Sequence, residues 1–252
     1  IDDSWLPNNG FADKGWSVWI EGKKLTKVDK HQLYDHVFAN RTKAYWIRKH
    51  NIKMELITNI NWDACQQSLK QLPFGKRRWL LKHATGFCGV GKVEQLRGNQ
   101  NHADCPRCGQ FEDAPHVVRC KGNGTDDIFE VAVQKLELKM GDSFTAPEII
   151  TSLGTRIRQW RKHSSEQTVN QDTPFPVYRQ HDQLGTKDAV KEQDKIGWYN
   201  LLLGRMSQKW RDVQQKYLEL LGKRTTGRRW TIAIISKIWD HCMGYVATPQ
   251  PH

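Results

Sequence analysis

Between Cys105 and Cys120 the chain reads C-x2-C-x7-H-x3-C, and this spacing constrains the fold more than any other feature of the sequence. Three thiolates and one imidazole make a closed set of four ligands, which suits tetrahedral zinc and leaves no coordination position for a reacting water. The expectation is one structural Zn2+ ion on Cys105, Cys108, His116 and Cys120, with no catalytic role. Pro106 and Gly109 flank the first pair, as in a knuckle turn whose backbone amides face the sulfurs. The step from His116 to Cys120 places two ligands one helical turn apart. His102 is expected at the surface because the set is complete without it, and Glu112 and Asp113 are either solvated or acceptors for the His116 ring.

Six cysteines would allow three disulfides, but metal spacing beside a histidine points to a reducing interior, cytoplasm or nucleus. Cys65, Cys88 and Cys242 stand singly, as small buried apolar residues do. Ile1–Gly10 has neither a basic start nor an apolar run, so the sequence reads as a fragment or trimmed product without a secretory signal. No stretch has the apolar length of a membrane span, and no membrane partner is expected, an anionic membrane surface ranking behind nucleic acid as the polyanion.

The patterning predicts a mostly α fold: a helical bundle with a Cys3His zinc knuckle and a small N-terminal β-hairpin. Residues 1–28 form an extension and hairpin, in which WSVWI and KKLTK flank a turn at Glu21 and Gly22. A helical domain follows over 29–163, with the knuckle at 102–121. It opens with a helical hairpin broken near Asn40, continues through a short helix capped by Asp63, and resumes over Arg77–Thr85. Asp126–Leu138 and Pro147–His163 are amphipathic helices, the first with Ile128, Val131, Val133 and Leu136 as its apolar positions. The polar, proline-containing stretch 164–186 reads as a linker, and 187–252 as a C-terminal bundle of three or four helices.

A net charge of +12 favours a polyanionic partner, RNA or DNA, because Lys and Arg neutralise phosphates and release counterions. The cations cluster beside aromatic residues. Lys76, Arg77, Arg78, Lys82, Lys92 and Arg97 face only Glu94, with Trp79 among them; Arg156, Arg158, Arg161 and Lys162 surround Trp160; Lys223, Arg224, Arg228 and Arg229 precede Trp230. From these sets Lys76, Arg77, Arg78, Lys82, Arg156, Arg158, Arg161, Lys223, Arg224, Arg228 and Arg229 are candidate phosphate contacts. Trp79 and Trp230 are candidate base supports, although such tryptophans also serve as core anchors. Gly86–Lys92 matches G-x-x-x-x-G-K, but Val93 replaces the magnesium-binding hydroxyl and a helix precedes it where a strand is needed. No acyl-transfer, metalloprotease, kinase or two-metal carboxylate set is present, so no enzyme is read from this chain.

At CPRCG and FEDAPHVVRC the chain resembles the zinc-binding region C-terminal to reverse transcriptase in non-LTR retroelements, where a C-P-x-C-G, an acidic pair and H-V-x-x-C recur. GWSVWI, LPFGKRRWLLKHATGFCGVGK, IGWYNLLLGRMSQKW and TGRRW are similar to microalgal retroelement-type open reading frames, in which this segment follows reverse-transcriptase and RNase H-like domains. The resemblance covers most of the chain and implies an accessory region that helps a polyprotein hold RNA or target DNA, with its other domains as further partners. A domesticated host copy would look the same. Two other functions fit the residues: a protein-interaction scaffold without nucleic-acid contact, and part of an enzyme whose catalytic residues lie on another domain.

Overall fold

A computed structural model describes residues 19–20, 22–24, 30–162 and 182–243. It is mostly helical, in two compact units, 1–51 and 52–252. The first unit contains two paired two-residue strands, β1 (Trp19–Ile20) and β2 (Lys23–Lys24), and helix α1 (Lys30–His50). The remainder of the expected hairpin lies outside the described residues. α1 runs unbroken through Asn40, where sequence patterning suggested a hairpin. Asn lowers helix propensity only modestly, and with no Gly or Pro nearby nothing stops the helix until Asn51 turns left-handed at φ 49°.

In the second unit a 3-10 turn (Met54–Asn59) leads to α2 (Trp62–Gln71) and α3 (Phe74–Thr85). Asn61, not Asp63, caps α2, its side chain accepting from the Ala64 amide at 3.1 Å. α3 starts at Phe74, earlier than the pattern suggested, because Pro73 sits at its N-cap and Gly75 falls in the tolerant first turn; it stops where Gly86 adopts φ 73°. α4 (Gly91–Leu96) and α5 (Ala114–Arg119) bracket the cysteine ribbon. Then come α6 (Thr125–Gly141), α7 (Pro147–Lys162), α8 (Thr186–Ile196), α9 (Trp198–Leu202), α10 (Gln208–Leu220) and α11 (Gly227–Ile238), with a π-turn over Trp239–Met243.

The buried face of α6 carries Phe129, Ala132, Val133, Leu136 and Met140, whereas Ile128 and Val131 of the expected apolar set are exposed. That face meets Ile149, Leu153, Ile157 and Trp160 of α7. The same core continues into Trp198, Leu201, Trp210, Trp230, Ile234 and Ile238. Helices from both sides of 164–186 therefore share one core; residues 163–181 lie outside the described residues. The α6–α7 connection is fixed by α10 and α11. Fully buried Gln214 accepts from the Ala146 amide at 3.0 Å and donates to the Phe144 carbonyl at 2.8 Å, and the Trp230 indole donates to Thr145 Oγ1 at 2.8 Å. These bonds satisfy backbone groups that burial would otherwise leave unpaired.

Candidate metal centre

Residues 103–112 form a tight antiparallel ribbon. The Cys105 amide donates to the Gln110 carbonyl at 2.7 Å, the Glu112 amide to Ala103 at 2.7 Å, and the Gly109 amide closes the turn on Cys105 at 2.8 Å. Gly109 takes φ 69°, a conformation that suits a residue without Cβ. The ribbon presents Cys105 and Cys108 on one side. Opposite them, Asp113 caps α5 by accepting from the His116 amide at 2.9 Å, Pro115 occupies the first turn, and His116 and Cys120 follow one turn apart.

The four ligand atoms lie within 4.8 Å of one another. Cys105 and Cys120 sulfurs are 3.7 Å apart, and Cys108 Sγ is 3.3 Å from His116 Nε2. A metal with sulfur at about 2.3 Å in tetrahedral geometry places its sulfurs about 3.8 Å apart, so these residues fit such an ion. The same four cysteine and histidine side chains are unbridged by disulfides, and all three thiols remain available as ligands.

Second contacts also face the sulfurs. Amides of Arg107 and Cys108 point to Cys105, amides of Gln110 and Lys121 to Cys108, and the Gly122 amide to Cys120 Sγ at 3.3 Å. Burial pushes the metal-free Cys105 thiol up to about 12. At Cys108 burial also acts upward, but the Gln110 amide and the neighbouring Cys120 and Cys105 side chains outweigh it and hold the thiol below its usual range. An arriving cation would displace these protons, and the oriented amides would then stabilise the thiolates.

The centre is anchored to the helical core by Arg161 of α7. Its Nε donates to the Val118 carbonyl at 3.1 Å, Nη2 to the Cys120 carbonyl at 2.8 Å and to Thr125 Oγ1 at 3.2 Å, and Nη1 to Asp126 at 2.5 Å. The guanidinium carbon stands 4.5 Å from the Phe129 ring centroid. Thr125 Oγ1 donates to the Cys120 and Gly122 carbonyls, completing the cap. Sequence reasoning found the four side chains that cluster here but missed this residue as their support.

His102 is exposed, as expected. Neither acidic neighbour reaches the His116 ring: Asp113 caps α5, and Glu112 accepts from the Gly91 amide at 2.7 Å. Gly91 lies in the stretch that mimics a phosphate loop, but its role is packing. A Cβ there would sit 2.5 Å from the Ala103 carbonyl oxygen, backbone of the cysteine ribbon. Gly91→Ala is therefore expected to destabilise the fold by about 1–3 kcal/mol through overpacking. Thermal unfolding checks this, and an unchanged midpoint would refute the close-approach role. Cys88, Val90, Val93 and Ala114 form a small separate core behind the centre.

The cationic candidates divide sharply. Arg156 and Arg161 are buried, the former 3.8 Å from Asp194. Arg158 is bound by both Glu130 and Glu137 at 2.6–3.1 Å, and those carboxylates and its partial burial fix it against α6. These three residues join helices, which corrects their reading as phosphate contacts: each guanidinium already has protein acceptors and little open surface. Lys76 and Arg228 are exposed but face Asp240 and Asp63, each at 2.7 Å. Lys223 lies 4.3 Å from the Phe144 ring centroid. Arg78, Lys82, Arg224 and Arg229 are exposed and Arg77 is half-buried, with no carboxylate partner for any of the five among the described residues.

The aromatic expectations change too. Trp230 is buried, and Trp79 is half-buried against the main core, stacked on His83 with ring centroids 5.2 Å apart. Burial lowers the His83 pKa to about 4, so the imidazole in that stack is neutral near pH 7. Among the described residues no helix is long and apolar enough to cross a membrane. No family model, curated protein or solved structure matches the chain.

Proposed function

We propose that this chain is a zinc-stabilised nucleic-acid-binding accessory module, of the kind a retroelement reverse-transcriptase polyprotein carries. The observation that supports it best is the run of cations Arg77, Arg78 and Lys82 on α3, without carboxylate partners among the described residues. Arg224 and Arg229 add a second set at the start of α11. Ion pairs place Asp63 beside Arg228 and Lys76 beside Asp240, so the start of α3 lies near the end of α11 opposite Arg229, a helix about 18 Å long at 1.5 Å per residue. Zinc suits three thiolates and one imidazole in a closed site, where it holds the ribbon and α5 together. The likeness of CPRCG and FEDAPHVVRC to retroelement zinc regions supports the same reading.

The test is a salt titration of binding to labelled single-stranded RNA, duplex RNA and duplex DNA. The triple variant Arg77→Gln, Arg78→Gln, Lys82→Gln is expected to weaken binding and to flatten the logarithmic salt slope on single strands by about 2, at roughly 0.7 per lost phosphate contact. An unchanged slope would remove α3 from the interface. A protein-docking reading is favoured by one feature, the exposed Ile128, Val131 and Leu138 on α6. Absence of binding to any nucleic acid at low salt would transfer the assignment to it.

A further inference from the structure

Among the described residues Phe87 and Phe111 are exposed, whereas Trp79, a candidate base support, is half-buried. Phe111 lies within the cysteine ribbon, 56% exposed, and Phe87 between α3 and α4 is 63% exposed. Phe111 is held on both sides of its backbone. It pairs with Asp104 across the ribbon, and its neighbours Gln110 and Glu112 are bonded to Cys105 and Ala103 at 2.7 Å each. Glu112 fixes the adjoining helix as well, since its carbonyl accepts from the Lys92 amide at 3.0 Å and its carboxylate from the Gly91 amide. Lys92 Nζ consequently stands 6.0 Å from the Phe111 ring centroid.

An aromatic ring that keeps more than half of its surface in water gains only part of the stabilisation of a buried one, and the remainder is open to a partner. With a cation beside it, the ring offers what an unpaired nucleotide needs: a π-face for the base and a positive charge for the phosphate. A base within a duplex is already stacked and cannot use such a face. We infer that Phe111 and Lys92 form a stacking platform for one unpaired base of a single strand, built on the metal ribbon and separate from the cations of α3. The inference rests on the nucleic-acid reading above and specifies the form bound there. The metal centre then fixes the ribbon that carries the platform, and the base is read by its π-face without regard to sequence.

The test compares Phe111→Leu, which keeps apolar bulk but has no π-face, with Phe111→Tyr, which keeps the ring. Both are measured on zinc-loaded protein whose metal content and thermal midpoint match the parent. Phe111→Leu is expected to bind single-stranded RNA about 5- to 150-fold more weakly, as for loss of one stacked base, with its salt slope unchanged. Phe111→Tyr restores affinity, and neither change alters binding to duplex RNA or to an abasic oligonucleotide. If the parent binds single strands and Phe111→Leu binds equally well, the platform is wrong while the nucleic-acid module stands. If the parent binds no nucleic acid, the module reading falls and the platform with it. Equal losses on single strand and duplex would also overturn the platform, since they show a general disturbance of the surface.

Discussion

Replacing Cys108 by serine is expected to lower bound zinc from one ion per chain to near none and to open the segment from Ala103 to Gly122. Serine is close in size and Cys108 is only half-buried, so the change makes no large cavity and its effect isolates the lost ligand. In isolated zinc-finger peptides a structural zinc ion supplies about 10–16 kcal/mol of apparent binding free energy that is coupled to folding. Only part of this is needed here, because α5 also packs Ala114 into the small core with Cys88, Val90 and Val93. The main core is built chiefly on α6, α7 and α8–α11, with Val118 as the contribution of α5, and should survive. Elemental analysis and amide hydrogen exchange distinguish these regions: exchange should rise in the ribbon and α5 and stay slow in α6 and α11. One zinc per chain with parental exchange in this variant would disprove the ligand assignment. Treatment of the parent with a strong chelator should reproduce the same pattern.

The second large effect is expected at Arg161. Arg161→Leu removes four donor contacts at once and leaves the Val118 and Cys120 carbonyls without their guanidinium partner. Leaving buried carbonyl acceptors unpaired costs about 1–3 kcal/mol, and Asp126, being exposed, adds little to this. Lysine should not rescue it, because one ammonium cannot span the Val118 and Cys120 carbonyls and Asp126 as a planar fork does. The Cys120 carbonyl belongs to a ligand residue, so zinc affinity should also fall, by about 10- to 100-fold, a typical loss for an outer-contact residue of a metal site. Chemical unfolding and competition with a chromogenic chelator measure the two effects separately. A variant of parental stability and affinity would show that Arg161 does not anchor the centre.

The contrast between Cys108 and Arg161 explains what could be read from the sequence. The four candidate ligands lie within 16 residues, and their spacing carries the geometry of the cluster almost alone. The helices of the C-terminal half were legible from apolar periodicity, since Trp198, Trp210 and Trp230 all fall on buried faces. Arg158 was misread because its partners, Glu130 and Glu137, lie 28 and 21 residues away; local sequence showed only cations around a tryptophan. The same limit applied to Arg161, whose acceptors are up to 43 residues distant. The unbroken α1 was missed for a different reason: a polar asparagine was weighed as a break although it lacks the backbone effect of glycine or proline.

The distribution of the core also sets what can exist as an independent piece. α6 and α7 pair with each other, but the connection between them is completed by Gln214 and Trp230, and their apolar faces continue into α10 and α11. A polypeptide emerging from a ribosome therefore has its metal ribbon locally complete while the helical portion remains half of an interface. A cut between α7 and α8 would leave each fragment with bare apolar surface that the other covers in the intact fold.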